Sequence, residues 1–511
     1  MGITLAFKRH SLFSSDNVER VAHWIAGILI AASALFFWSK QAPFAAGADA
    51  SGYMSYARLL SEGRIIQPPL MMGFSEAEIS DRRLYEPLGF TFPADETNLV
   101  PIYPSGLPLL IAAFSLVVGP DQAVSTVMLL AFVSCGFMTY LLGRRLGLPP
   151  SYALLAYVAM TGSSLTIFMG LVPMTDVLSA SLLTLCCFLA TTVQRGMRWG
   201  FLAGFVLALA ILVRPTNSLV ILALPAFVGR TADWKSWLAV MAGGIPGLAW
   251  LLFLNTTLYG SPLTTGYGSI LPLLKTEYLV PNLRHFAIWL TILFTPLLTW
   301  PFLGSTLLGR SLRQKSLPLV LWAAPFLVFF SFYSFSSNDW WFTRFLLPAM
   351  PACVIGSALV LHEAAQRWLS DRAKRWAPWI LTGIVAVSHL AIVNWKGADN
   401  IRQGHIVYQQ TGAWIDEHTE EGDGILCMQF SGSLRYYTEN RPILRFDFLD
   451  EPSWRAIVST ARSKQIGIYA VLYFLETESG EALGIRAPGD WREAARFPYA
   501  AVFKLNLGHM D

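Results

Sequence analysis

The chain has 511 residues, 54% hydrophobic and 14% charged, with a mean hydropathy of +0.48. Soluble domains carry about a quarter charged residues, so this composition excludes a soluble globular protein and indicates an integral membrane one. The net charge of +4 is small for this length and gives no sign of nucleic-acid binding; the useful signal is where Lys and Arg fall in short loops, because that sets membrane orientation.

A helix needs about 20 mostly apolar residues to cross the hydrocarbon core. On that basis eleven spans are predicted: 21–38, 121–142, 150–169, 174–192, 199–213, 217–229, 236–257, 286–308, 317–335, 345–361 and 377–395. The first contains the apolar run Trp24 to Trp38. A cleaved secretory signal is the competing reading there, with Ala46-Gly47-Ala48 as a small-x-small site. That motif lies well beyond an already long run, so an uncleaved anchor is expected.

The apolar stretch 105–119 is short and bracketed by Pro104, Gly106, Pro108 and Pro120, and it reads as a helix in the membrane interface. The charges test that choice. With residues 1–20 inside, the inner loops receive Lys8, Arg9 and Arg20; Arg144 and Arg145; Arg195 and Arg198; Arg230 and Lys235; Arg310, Arg313 and Lys315; and Arg367, Arg372, Lys374 and Arg375. Every inner loop is basic, as the positive-inside bias requires. Counting 105–119 as a span would move Arg144 and Arg145 outside.

The first outer loop, 39–120, carries Asp49 within Gly47-Ala48-Asp49-Ala50-Ser51-Gly52-Tyr53, where the chain has just left the bilayer. An acid there suits a base acting on a lipid-borne substrate; it equally suits a helix N-cap. Tyr53 and Tyr56 would share its helix face. The loop continues through Glu76, Glu78, Asp81, Arg82, Arg83 and Glu86 to Pro101-Ile102-Tyr103-Pro104. Asp176, at the outer end of span four, faces the same compartment and is either a second site carboxylate or another cap. Arg214-Pro215 closes span five and Arg344 opens span ten. Arginines at such positions are snorkelling anchors or bidentate phosphate ligands. Arg284 and His285, before span eight, join the same group. The polar loop from Asn255 through Tyr267 to Gly268 suits the wall of a sugar-sized cleft, and His389 reads as a packed core histidine.

The tail, 396–511, mixes helix patterns at 411–418 and 452–464 with strand patterns at 424–430, 443–448, 467–474 and 500–505. That predicts a small α/β domain, outside the cytoplasm by the topology. Of the five cysteines only Cys427 lies in the tail, so no internal disulfide forms there.

Together these features resemble the GT-C superfamily of membrane glycosyltransferases, in particular the bacterial, family-39-like branch related to protein O-mannosyltransferases and the lipid A aminoarabinose transferase. The resemblance covers about 20–395. It rests on Asp49, the Tyr103-Pro104-Ser105-Gly106 stretch, Arg144-Arg145, Asp176, Arg214-Pro215, the loop Tyr259 to Tyr267, and Arg344-Phe345-Leu346-Leu347-Pro348. It implies a multi-pass α-helical membrane protein with a small extracytoplasmic α/β domain, placed in a bacterial cytoplasmic membrane with its site facing the exterior. It further implies an inverting transferase that takes a sugar from a polyprenyl-phosphate donor to a glycan, lipid or protein acceptor. Asp49 would be the base, and Asp176 would orient the acceptor or help hold a divalent metal ion, for which no ligand cluster is visible. Tyr53, Tyr103, Arg214, Tyr267, Arg284 and Arg344 would bind substrate. Two departures stand out: Tyr103 replaces a lysine that relatives use near phosphate, and Ala48 and Ala50 flank Asp49 where relatives often have a second acid. A lipid-linked glycan flippase and an oligosaccharide ligase or polymerase are the rival classes.

Overall fold

Among the described residues the eleven apolar segments fold mainly as helix, because a backbone in hydrocarbon must satisfy its polar groups within its own segment. The structure, a computed structural model, describes residues 15–72, 81–93, 97–229, 233–306, 309–438, 440–478 and 481–509. Lys8, Arg9, Glu76, Glu78 and Arg230 lie outside the described residues.

Among the described residues, six helices are long and apolar enough to cross a membrane: Glu19–Lys40, Pro120–Arg145, Trp234–Tyr259, Arg310–Ser331, Trp340–Trp368 and Asp371–His418. Two predicted spans are bent rather than straight. The segment 150–169 turns by 57° between Pro150–Gly162 and Ser164–Gly170. The segment 286–308 turns by 108° between Thr276–Phe294 and Pro296–Gly304; Thr295 there has a φ of 64° and Pro296 has no N–H to continue the helix. Counting each bent pair once gives eight spans. The other three segments are the short helices Thr175–Ala190 and Met197–Val213, and the 3-10 and α turns over Pro215–Leu222 and Leu224–Val228. At about 1.5 Å per residue none of these reaches across a core of about 30 Å. Gly106–Val118, with 13 residues, is also too short to span.

The basic turns gather at one end of the bundle. Arg145 donates to the carbonyl and hydroxyl of Thr191 at 2.9 and 3.2 Å, and Gln194 to the Val228 carbonyl at 2.9 Å. Lys315 lies against Gly147, and Arg367 against Gly309. The acids and arginines singled out above occupy the opposite end.

The tail forms a five-stranded mixed sheet. After two short loop strands, β1 (Phe90–Thr91) and β2 (Val100–Pro101), come β3 (Gly424–Leu426), β4 (Ile443–Leu444), β5 (Ile468–Tyr473), β6 (Trp491–Phe497) and β7 (Ala500–Leu505), in the order β4-β3-β5-β7-β6. β3 runs parallel to β4 and β5; β7 is antiparallel to β5 and β6. Three differences from the expected strands appear: β3 ends at Leu426, with residues 431–437 helical; β4 ends at Leu444, with Phe446–Phe448 a 3-10 turn; and β6 was not foreseen.

The first outer loop is built into this tail. Met72, Leu84 and Tyr85 lie in one core with Leu426, Trp454, Ile457 and Leu472. The Leu88 N–H donates to Ser431 Oγ at 3.0 Å, and the Ala45 N–H to the Tyr437 hydroxyl at 2.8 Å. The helix Gly47–Ser61, which carries Asp49, is thereby clamped between bundle and tail.

Candidate active site

The site begins with how Gly47–Ser61 is seated. Gly52 and Gly89 approach so closely that a Cβ on either would strike the other's backbone, and one at Gly52 would enter the Tyr103 ring. Gly89 has a φ of +97°, a conformation that favours glycine. This contact lets Tyr103 lie flat along the helix, its ring 4.8 Å from that of Tyr53. Its hydroxyl then donates to Asp49 Oδ1 at 2.8 Å.

The other carboxylate oxygen, Oδ2, accepts from Arg344 Nη2 at 2.9 Å. Arg344 sits in the 3-10 segment Trp340–Ala349, whose first turn is capped by Asp339. Its guanidinium packs near the rings of Trp341, Phe342 and Phe345. Asp49 therefore caps nothing: the helix N-cap is Ala46, with no side-chain bond. The carboxylate still stands in the first turn, where the helix dipole favours negative charge.

Asp176 does not act as a side-chain cap either. Its Oδ1 accepts from Arg214 Nη1 at 2.6 Å. Arg214 lies over Phe345, the same ring that Arg344 faces. On the opposite side, the Tyr53 hydroxyl is 3.5 Å from Thr175 Oγ1, next to Asp176. The eight groups thus close a ring: Asp49, Tyr103, Tyr53, Thr175, Asp176, Arg214, Phe345, Arg344.

Exposure separates the two acids. The Asp49 side chain is 32% exposed and that of Asp176 only 1%. Within the ring, Asp176 Oδ2 and Arg344 Nε have no hydrogen-bond partner among the described residues. Burial, and then the Asp49 charge, hold the Tyr53 and Tyr103 phenols above their usual pKa. Both stay protonated and able to donate.

Tyr267 reaches the site, its ring 6.2 Å from that of Tyr103. Its loop does not form a sugar-sized cleft, however. Tyr259 donates to the Pro101 carbonyl at 2.6 Å and Gly266 presses on the Ile102 backbone, leaving only about 40 Å³ between Tyr56, Tyr103, Asn255 and Tyr267. Arg284 is not part of the site. Asn282 and Phe286 turn the buried face of Leu279–Phe294 inward, and Arg284 is exposed on the other face. His285 instead pairs with Thr343 at 3.2 Å. His389 is buried beside Gly162, away from the site.

Among the described residues no three His, Cys, Asp or Glu side chains come together. With each aspartate already bound to an arginine, these groups do not make a donor set for a divalent ion. Tyr333, whose ring lies 5.4 Å from Phe345, also joins the site. It lies two residues past the end of the helix Arg310–Ser331, inside the predicted span 317–335, and was not singled out from the sequence.

Past Arg344 the surroundings become apolar. A cavity of about 400 Å³ is lined by Leu283, Phe286, Leu290, Leu327, Leu346 and Met350, among others. Leu346 belongs to the same 3-10 segment as Arg344.

No protein-family model and no curated protein matches the chain. Solved structures do. A crystal structure of ArnT from Cupriavidus metallidurans bound to undecaprenyl phosphate is 13% identical, with a TM-score of 0.53 over 94% of this chain and 98% of that one. Its apo form gives a TM-score of 0.55 over 95% and 98%, again at 13% identity. The Archaeoglobus fulgidus oligosaccharyltransferase in complex with zinc and sulfate is 12% identical, with a TM-score of 0.52 over 92% of this chain and 72% of that one. At such identities the likeness concerns architecture: the chain shares the fold of these structures.

Proposed function

We propose that the protein transfers a sugar from a polyprenyl-phosphate donor to an acceptor hydroxyl, at the outer face of a bacterial cytoplasmic membrane. The observation that carries this reading is Asp49, a partly open carboxylate flanked by a buried arginine and a protonated tyrosine, at the bundle end opposite the basic turns. The neighbour bound to undecaprenyl phosphate supports the class of donor.

In the proposed reaction the acceptor oxygen attacks the anomeric carbon while Asp49 takes its proton. The bond from that carbon to the phosphate oxygen breaks, and the electron pair leaves with the polyprenyl phosphate. General base catalysis of this kind contributes about 10²–10⁴-fold. Arg344 and Arg214 meet the growing phosphate charge. The spare Nε of Arg344 is a free donor for it. Asp176, closed to solvent, acts through Arg214 rather than on substrate. The apolar cavity beyond Leu346 receives the start of the polyprenyl chain. Tyr53 and Tyr267 line the sugar's side.

A flippase would place ionisable groups along a path near mid-membrane, whereas here they sit together at one end. The likeness to an oligosaccharyltransferase favours a second reading, transfer of a preassembled oligosaccharide. Purified protein assayed with a monosaccharide-linked and an oligosaccharide-linked polyprenyl phosphate distinguishes the two. Transfer from neither, in parallel with wild-type lipid translocation in vesicles, would overturn the transferase reading.

A further inference from the structure

A second pocket, of about 270 Å³, lies behind the helix Gly47–Ser61, between that helix, the chain up to Leu70, and Arg435, Tyr436, Thr438 and Asn440 of the tail. Arg58, on its wall, is nine residues beyond Asp49 on the same helix. That is about two and a half turns, which puts it on the opposite face and about 14 Å further along the axis. The pocket is therefore distinct from the ring around Asp49.

Its lining holds three arginines, Arg58, Arg64 and Arg435, against one carboxylate, Glu62. Glu62 is already bound to Arg64 at 2.9 Å. Arg58 donates to the Tyr436 carbonyl at 2.9 Å and lies over the Tyr436 ring. Arg435 meets only Gln67 Oε1, at 3.2 Å. Arg58 and Arg435 therefore have no carboxylate partner among the described residues. Burial and the nearby Arg64 push the Arg435 guanidinium below its usual pKa. Two further groups on the wall are unsatisfied. Ser55 and Gln67 are 8% and 9% exposed, and Ser55 Oγ and Gln67 Nε2 have no hydrogen-bond partner among the described residues. A half-buried cation such as Arg435 and orphaned donors are costly unless a ligand completes them.

We propose that this pocket binds an acidic sugar, its phosphate or carboxylate held by Arg58 and Arg435 and its hydroxyls by Ser55, Gln67 and Asn440. Guanidinium forks match planar oxyanions, while carboxamides and hydroxyls suit the sugar ring, and the pocket admits about one such unit. Because the helix that forms one wall also carries Asp49, occupancy steadies the base from behind.

The test is direct binding to the full-length protein in detergent, by calorimetry, with glucose 6-phosphate, galacturonate, glucose, inorganic phosphate, and phosphatidylglycerol in mixed micelles as probes. The acidic sugars are expected to bind, and to bind more weakly as salt rises. Arg58→Gln and Arg435→Gln should each weaken binding at least about tenfold, while Arg435→Lys retains part of it and Asp49→Asn none of the loss. Equal binding of glucose would overturn the anion assignment. Inorganic phosphate or phosphatidylglycerol matching the sugars would overturn the sugar assignment. Unchanged binding in both glutamine variants would remove the pocket itself. Should Arg435→Gln misfold, Arg58→Gln, at the exposed rim, carries the test. Since no transfer is measured, failure of the transferase reading would leave this result standing.

Discussion

Arg344 and Asp49 form an ion pair at 2.9 Å, although Arg344 is also the buried guanidinium best placed to meet a leaving phosphate. In the proposed reaction, donor binding therefore has to loosen this pair. Asp49→Asn should lower kcat by about 10²–10⁴ while donor affinity holds or improves, because Arg344 is released to the phosphate. Single-turnover transfer together with equilibrium donor binding checks this. Retained turnover in a folded Asp49→Asn protein would dismiss Asp49 as the base.

Asp176 and Arg214 should separate structure from chemistry. Removing one partner of a buried pair leaves an uncompensated charge, so Asp176→Asn should destabilise the protein by roughly 3–5 kcal/mol. The double variant Asp176→Asn, Arg214→Gln should recover much of that loss in a thermal melt. It should not recover transfer, which is expected to stay down by about 10²–10³ for a missing phosphate donor. Recovery of both would make the pair purely structural.

The Gly52 contact positions Tyr103, and Tyr103 in turn holds Asp49. Tyr103→Phe deletes one bond to a charged group, worth about 1.5–3 kcal/mol, so transfer should fall roughly tenfold or more with folding retained. Gly52→Ala forces the ring away from the helix and should lower transfer at least as far. Adding Tyr103→Phe to Gly52→Ala should then cost little more, since one route is already broken. Additive losses would show that Gly52 acts elsewhere.

Much of the site was legible because charges are rare in this chain and fall at the edges of apolar runs. Asp49, Asp176, Arg214 and Arg344 each interrupt such an edge, and all four converge. Arg284 met the same criterion and does not converge, because edge position says nothing about helix face; the burial of Asn282 and Phe286 decides it. Strand β6, Trp-Arg-Glu-Ala-Ala-Arg-Phe, has no apolar alternation since it is an edge strand with most side chains in solvent. The 108° turn at Thr295–Pro296 was hidden because an apolar run keeps its composition through a bend. Neither the docking of the first loop into the tail core nor the Phe345 ring shared by both arginines can be read from spacing, since each depends on a contact between distant parts of the chain.

The phenols supply a pH test. Tyr103 and Tyr53 have pKa values raised in the folded protein, by burial first and by Asp49 second. A raised pKa means that the stabilising contribution is complete below the unfolded value, about 10. It is then lost as pH climbs through the folded value. Thermal stability should therefore decline above about pH 10, and phenolate absorbance should show a late-titrating fraction. Tyr103→Phe should shrink that fraction. A titration of all phenols centred near pH 10 and complete by about pH 12, with the protein still folded, would contradict the burial of this cluster.

The apolar cavity makes a claim about chain length. If it receives the start of the polyprenyl tail, filling it should harm long donors and spare short ones. Ala349→Trp places a bulky ring on the cavity wall, in the same 3-10 segment as Arg344. Each isoprenoid carbon excluded from apolar surroundings costs about 0.8 kcal/mol per CH₂-sized group, so loss of two or three raises KM about ten- to fiftyfold. The effect should vanish with a donor whose tail is too short to reach the cavity, while kcat changes little because Arg344 keeps its bond to Asp49. An equal rise in KM for both donors would mean that the substitution disturbs the phosphate site itself, and the tail would then have to lie along another groove of the bundle.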